Sequence, residues 1–248
     1  MRLCVLLVAW GMLTGCATGL PLGGQVLAWG DRDNPPTPPA APRAPLSEEV
    51  ASASPGQPVR PPPPGARQEA LEAARGLVGS SKVRLAGRAW PDDCTGFVEA
   101  VYTQAGVSLR GAGLAGDNGV TAFYRYTRAH GRVYSKEPPR PGDLVFFRET
   151  YDRNRDGRRN DGLTHVGLVD ELKPDGTVVV IHRVKRGVVR YRMNLARPGL
   201  RKDPHTGEVL NDLLRAPGAG NVPVLTGQLF VAYGSLLPEA PGPAVVRR

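Results

Sequence analysis

The sequence predicts an α+β protein in which helices come first and a mainly antiparallel sheet follows. Before residue 131, apolar residues recur at steps of three and four, which is the period of a helix with one buried face. After Gly142 the chain instead carries short runs rich in β-branched and aromatic residues. The turn signals Lys173-Pro174-Asp175-Gly176 and Lys185-Arg186-Gly187 separate neighbouring runs, which favours strands that pair in antiparallel order.

Three helices are predicted, over residues 68–79, 94–105 and 117–131. The second has the clearest boundaries. Asp92 and Asp93 precede it as capping candidates, and Gly106 follows its last apolar position as a stop signal. We therefore expect Cys94 to lie in the first turn of this helix.

Five strands are predicted after the helices: Leu144 to Phe147, His165 to Asp170, Thr177 to Arg183, Val188 to Met193 and Gln228 to Gly234. Residues 194–224 read as an irregular excursion before the last strand. The expected architecture is a set of helices packed on a five-stranded, mainly antiparallel sheet.

The first 15 residues have the features of an export signal. An apolar run from Leu3 to Leu13 follows the positive residue Arg2 and is too short to span a bilayer as a mature helix. Residues 13–16, Leu-Thr-Gly-Cys, resemble the lipobox of bacterial lipoproteins, which implies cleavage before Cys16 and its modification with fatty acyl chains such as palmitate. Ala17 resembles the outer-membrane sorting pattern, so we expect a periplasm-facing lipoprotein; an ordinary signal peptide with an incidental cysteine is the alternative.

Residues 16–65 have the composition of a tether. Twelve of the 25 prolines of the chain lie between Pro35 and Pro64, and such a segment cannot build a core. Residues 238–248 are expected to form a frayed tail. The globular domain is therefore predicted over residues 66–237.

The formal net charge of +9 comes from basic residues that are scattered along the chain without interleaved aromatic residues. This pattern argues against a nucleic-acid partner. It suits an anionic wall polymer or membrane face, or simply a solvated surface rich in arginine. We expect a monomer.

The cysteines point to one reactive thiol. Cys4 would leave with the signal and Cys16 would be acylated, so Cys94 would remain without a disulfide partner. Backbone N–H groups and the dipole at a helix N-terminus favour thiolate over thiol. A small buried hydrophobe is the alternative role for Cys94, but it would predict no particular partners elsewhere in the chain.

Two histidines supply such partners. His165 and His182 lie in neighbouring predicted strands, and a cysteine with two histidines is a sufficient set for a nucleophile, its base and an orienting group.

Four ordered motifs resemble those of the NlpC-type cell-wall peptidases, which are papain-like cysteine hydrolases with the CHAP amidohydrolases as close relatives. The motifs are Asp93-Cys94-Thr95-Gly96-Phe97-Val98, Pro141-Gly142-Asp143-Leu144-Val145-Phe146-Phe147, His165-Val166-Gly167 and Ile181-His182. The resemblance covers residues 66–237 and implies a papain-like core with Cys94 as nucleophile, His165 as base and His182 as the third polar residue. Two features depart from the family. Thr95 replaces the more common serine, and residues 81–88 lack the usual upstream aromatic residue and paired glycines.

The function that follows is hydrolysis of an amide bond in peptidoglycan, without a metal or organic cofactor for the chemistry. A non-catalytic wall-binding or scaffold lipoprotein with the same fold is the main alternative. A zinc hydrolase that uses both histidines is a weaker one, because the chain lacks a pair of histidines one helical turn apart.

The segment before His165 predicts a calcium loop of incomplete type. Asp152, Asn154, Asp156 and Asn160 occupy positions one, three, five and nine, and Gly157 occupies position six. Position twelve is a leucine, so another carboxylate such as Asp161 would have to complete the site. A charged turn held by its own ion pairs is an equally weighted alternative.

Overall fold

Helices come first and strands second in the computed structural model, which describes residues 61–110, 113–215 and 223–238. Along the chain the elements are α1 (Ala66–Leu77), β1 (Arg84–Leu85), β2 (Arg88–Ala89), α2 (Cys94–Gln104), α3 (Gly119–His130), β3 (Arg132–Tyr134), β4 (Leu144–Arg148), β5 (Leu163–Leu172), β6 (Val178–Val184), β7 (Gly187–Met193), β8 (Leu213–Arg215), β9 (Val224–Leu225), α4 (Thr226–Leu229) and β10 (Phe230–Ser235). The predicted α+β class, with helices packed on a mainly antiparallel sheet, is confirmed. The predicted signal, Cys16, most of the tether and residues 239–248 lie outside the described residues.

Local sequence explains where the first three helices begin and which face they bury. Asp93 caps α2 by accepting a hydrogen bond from the Gly96 N–H, and Asn118 caps α3 by accepting one from the Thr121 N–H. In α1, the apolar stripe at steps of three and four is buried: Ala66, Ala70, Leu71, Ala74 and Leu77. No helix among the described residues is both long enough and apolar enough to cross a bilayer.

The main sheet has the strand order β3-β10-β4-β5-β6-β7, and every pair in it is antiparallel. The prediction of five strands is wrong by one, because β3 adds a sixth at the edge. This strand is only three residues long and pairs with β10, about a hundred residues later in the chain, so its own sequence gives little signal. Two small two-stranded sheets are also present: β8-β9, largely within the segment predicted to be irregular, and β1-β2, in a segment for which no element was predicted.

Two apolar clusters cover the sheet. The larger joins the helices to residues such as Leu144, Phe146 and Leu168, and the smaller contains Val145, Phe147 and Val169. Neighbouring residues of β4 and β5 therefore go to different clusters, as the two-residue period of a strand requires. A sheet that is buried on both faces explains why β4 reads as a continuous apolar run.

A buried polar network fixes the turn before β4. The Asp143 carboxylate, 1% exposed, accepts a hydrogen bond from Arg67 of α1 at 3.0 Å and another from the Tyr134 hydroxyl. The Tyr102 hydroxyl of α2 donates to the Gly142 carbonyl at 2.9 Å. The Pro141-Gly142-Asp143 motif thus joins two helices to the sheet, and its role is structural.

Candidate active site

Cys94 is the first residue of α2, and the motif around it explains how the chain turns there. The Asp93 carboxylate accepts from the Gly96 N–H at 2.8 Å and from the Thr95 hydroxyl at 2.7 Å. A side chain at Gly96 would place its Cβ only 2.1 Å from the Pro91 carbonyl oxygen, so the first turn of the helix can pack there only with glycine. Cys94 is a free, half-buried cysteine.

Burial decides the protonation state of this thiol at rest. Loss of solvent raises the pKa of Cys94 to about 11, and the Asp93 charge adds to the increase. Hydrogen bonds from the backbone N–H groups of Val166, Cys94 and Thr95 lower the pKa, but they do not offset burial. The expectation of a thiolate is therefore wrong for the resting protein, because desolvation outweighs the helix N-terminus.

The end of the β5–β6 ladder makes room for the cysteine beside β5. The pairing between these strands extends from Leu172 only as far as Leu168 and Ile181. Beyond that point the backbone N–H of Val166 is near enough to Cys94 to help lower the pKa of its thiol. Cys94 of α2 therefore lies beside the residue that follows His165.

His165 and His182 form a hydrogen-bonded pair. The Nε2 atom of His165 lies 2.7 Å from the Nδ1 atom of His182, and both side chains are buried. Burial lowers the pKa of His165 to about 4, against a smaller opposing effect of the Asp93 charge. Burial, the neighbouring His165 and then Arg186 also lower the pKa of His182. Both imidazoles are therefore neutral at pH 7. Nδ1 of His165 is left free of this hydrogen bond, and so is Nε2 of His182.

Cys94 and His165 line the same cavity, whose volume is about 850 Å³. His182 does not line it and instead contacts His165 from behind. The structure therefore brings all three predicted catalytic residues together. The cavity walls also include side chains from distant parts of the chain: Asn118, Thr150, Tyr151, Arg183, Lys185, Leu214 and Arg215.

Sequence reasoning missed most of these wall residues. Asn118 caps α3 and most of the others lie in turns or near strand ends, and such positions give no sign in the sequence of facing a cavity. Tyr151 is 50% exposed at the rim. Arg183 and Lys185, one and three residues after His182, give the wall positive charge. The acids of the wall already have donors, since Asp92 pairs with Lys82 at 2.7 Å and Asp93 caps α2.

The predicted calcium loop folds around its own acidic and amide side chains. Asp152 accepts from the Gly157 N–H at 2.9 Å, and Asp156 accepts from the side-chain amides of Asn154 and Asn160 at 3.1 and 2.8 Å. One oxygen each of Asp152 and Asp161 is buried without a hydrogen-bond partner among the described residues. Buried oxygens of this kind fit a hard cation.

Calcium in this loop would need asparagine oxygens as well as carboxylates. Within the described ranges, no group of three or more His, Cys, Asp or Glu side chains is arranged to hold a metal ion. Calcium binding therefore stays a prediction. It would place the ion next to Tyr151 on the cavity rim and shortly before His165 in the chain.

Comparison with known proteins agrees with the ordered motifs. Residues 84–183 match the family model of the CHAP domain. None of the curated proteins compared with the chain matches it. The crystal structure of a Staphylococcus aureus Mu50 protein, described as similar to lipoprotein and of the NLP/P60 family, aligns with 74% of this chain at 17% identity and a TM-score of 0.37. The alignment covers 45% of that protein, so this chain spans less than half of its length.

The matched segment contains the Cys94 helix, the strand of His165 and the strand of His182. The resemblance to NlpC- and CHAP-type cell-wall peptidases that the motifs predicted is therefore confirmed, with residues 84–183 as the part of the chain that is similar to CHAP domains.

Proposed function

We propose that the domain is a cysteine hydrolase that cleaves an amide bond in bacterial peptidoglycan. The CHAP match supports a peptidoglycan-acting hydrolase in general. The observation that carries the finer proposal is the shared cavity, which Cys94 and His165 both line, while Nδ1 of His182 lies 2.7 Å from Nε2 of His165.

The resting pair is a neutral thiol beside a neutral imidazole, which suits general-base catalysis. Nδ1 of His165 accepts the Cys94 proton as the sulfur attacks the substrate carbonyl carbon, and the Cys94 N–H at the start of α2 stabilises the oxyanion. The imidazolium then gives its proton to the leaving amine, which leaves a thioester on Cys94. Water attacks the thioester, His165 takes a proton from that water, and this proton returns to the sulfur as the acid product leaves.

A non-catalytic wall-binding lipoprotein is the second candidate. The observation in its favour is the raised pKa of Cys94, which a merely structural thiol would also show. In either case we propose an exported, monomeric protein that is attached to the outer membrane through lipid on Cys16, with residues 16–65 as the tether to the domain.

The two candidates separate in one assay. Protein that begins at Ala17 is incubated with peptidoglycan sacculi, and the newly released amines and the mass of the products are measured. We expect Cys94→Ala and His165→Ala each to lower the rate by several powers of ten. When catalytic groups act as a unit, the loss of one removes most of the rate enhancement of the whole set. His205→Ala is the matched control, since His205 is exposed in a distant turn. Full activity of the Cys94→Ala protein would refute the mechanism, whereas binding to sacculi without hydrolysis by the unaltered protein would favour the second candidate.

A further inference from the structure

His182 has one ring nitrogen whose environment is unusual. Its side chain is fully buried, with 0% exposure. Nδ1 shares a hydrogen bond with His165, but Nε2 has no hydrogen-bond partner among the described residues. An unpaired buried polar atom is costly, so the group that packs against this ring decides which of its protonation forms is tolerated.

That group is the aromatic ring of Tyr191 in β7. The centroids of the two rings lie 4.5 Å apart with an interplanar angle of 69°, an edge-to-face arrangement. The strand register holds them there, since Val180 pairs with Tyr191 and His182 pairs with Val189. The Arg186 guanidinium lies 5.4 Å from the centroid of the Tyr191 ring and gives the ring a second contact.

An aromatic ring interacts differently with the two tautomers of a neighbouring imidazole. Its π electrons accept a hydrogen bond weakly from an N–H group, and they repel the lone pair of a bare nitrogen. With the Nε2 edge of His182 toward its face, the Tyr191 ring would favour the form of His182 that carries its proton on Nε2. In that form Nδ1 is a hydrogen-bond acceptor.

The tautomer of His182 fixes that of His165, because one proton lies between the two rings. When Nδ1 of His182 accepts, Nε2 of His165 must donate, and Nδ1 of His165 is left bare and basic. The opposite arrangement would put the proton of His165 on Nδ1. A histidine in that form could not take a proton from Cys94.

We propose that Tyr191 is a positioning residue of the active site: its ring holds His182 in the Nε2–H tautomer, and His182 thereby keeps Nδ1 of His165 free to act as the base. This inference rests on the proposed function only in the use made of His165. The tautomers themselves are a property of the folded protein and exist whether or not Cys94 is catalytic.

The test reads the tautomers directly. Imidazole nitrogens with and without a proton have well-separated ¹⁵N chemical shifts, so long-range ¹H–¹⁵N correlation spectra at pH 7 assign both nitrogens of each histidine. We expect Nε2 protonated and Nδ1 bare in both His165 and His182. The spectra are recorded on the Cys94→Ala protein as well, so the result does not depend on activity.

Two substitutions distinguish the effect of the aromatic ring of Tyr191 from the effect of its hydroxyl. Tyr191→Phe keeps the aromatic face and should keep both the tautomers and kcat. Tyr191→Leu removes the face; we expect a mixture of tautomers and a fall in kcat of about tenfold with KM unchanged, because the base is wrongly oriented or protonated in part of the molecules.

A proton on Nδ1 of His182 in the unaltered protein would overturn the proposal, even if the leucine variant does not fold. Unchanged tautomers in a folded Tyr191→Leu protein would overturn it too. The expected tautomers together with full hydrolysis by Cys94→Ala would instead refute the proposed function and leave the role of Tyr191 in setting the tautomer intact.

Discussion

Gly167 of β5 faces His182 of β6 at a distance that leaves no room for a side chain. A Cβ atom on Gly167 would lie 3.0 Å from the Cβ of His182 and 2.7 Å from Cγ1 of Val180. We expect Gly167→Ala to destabilise the domain by about 1–3 kcal/mol, since overpacking in a buried sheet forces the strands apart. The same shift should lengthen the contact between His165 and His182 and lower hydrolysis.

Denaturant unfolding and the sacculus assay measure the two effects. Gly76→Ala is the matched control, because a Cβ there meets nothing within 4 Å and the residue lies inside α1. That control should be stabilised by about 0.5–1 kcal/mol through helix propensity. If the Gly167→Ala protein were as stable as the unaltered one, β5 and β6 could accommodate a methyl group at this point without loss of stability, which would contradict the prediction.

The buried histidines make stability depend on pH in a defined window. The pKa of His165 is about 4 in the folded state and about 6.5 in the unfolded chain, so between these pH values the unfolded chain binds more protons. Stability is therefore complete above pH 6.5 and falls as the pH drops toward 4, by about 3 kcal/mol from His165. His182, whose pKa is also lowered, acts in the same direction.

Chemical denaturation between pH 4 and pH 7 measures this dependence. His165→Gln should flatten it, whereas His205→Gln, in an exposed turn, should leave it unchanged. A slope that is the same in the His165→Gln protein would assign the pH dependence to other groups.

Asp93 combines two roles that substitution can separate. Asp93→Asn keeps a side-chain oxygen to cap α2 and removes the charge, so the pKa of Cys94 should fall and that of His165 should fall further. Asp93→Ala loses the cap as well and should cost about 1 kcal/mol of stability. Thiolate absorbance against pH measures the first effect, and denaturant unfolding measures the second. A Cys94 pKa that rises in the Asn variant would contradict the assigned sign of the Asp93 charge.

The loop of residues 152–162 should respond to calcium. Binding to the folded state alone stabilises it by about 2.7 kcal/mol when calcium is at a hundredfold its dissociation constant. We expect millimolar calcium to raise the melting temperature of metal-stripped protein, and a chelator to lower it again. Asp152→Ala together with Asp156→Ala should remove the response, while Asp175→Ala, in the β5–β6 turn, should retain it. Identical melting curves in calcium and in chelator would show that the loop is a charged turn that does not bind calcium.

Local patterns predicted most of the fold because the elements concerned carry their own signals. Asp93 and Asn118 are caps that act within three residues, and the buried stripe of α1 is read from its spacing. The strand β3 could not be found in the same way. Its three residues become a strand only because Val133 pairs with Gly234 of β10, a contact that no local pattern encodes.

The candidate site was likewise predictable only in part. Cys94, His165 and His182 were identified from their motifs, and the structure brings them together. The raised pKa of Cys94 was not predictable, because it depends on how completely β5 and the surrounding residues exclude water from the sulfur. The position of Tyr191 was not predictable either, because only the β6–β7 register places this residue beside His182.

Arg67 has a consequence for the connectivity of the domain. Its guanidinium donates to the Leu237 carbonyl at 2.7 Å and to the Ser235 hydroxyl at 3.2 Å, so the start of α1 and the end of β10 meet at one corner. A short linker could join these two points, and the chain could be opened instead in the exposed turn at Pro174 and Asp175, which lines no part of the cavity. The site therefore depends on which elements touch and not on their order along the chain. A circular permutant would carry Cys94 between the two histidines, with His182 near its N-terminus and His165 near its C-terminus, and these two residues would still lie 2.7 Å apart in space.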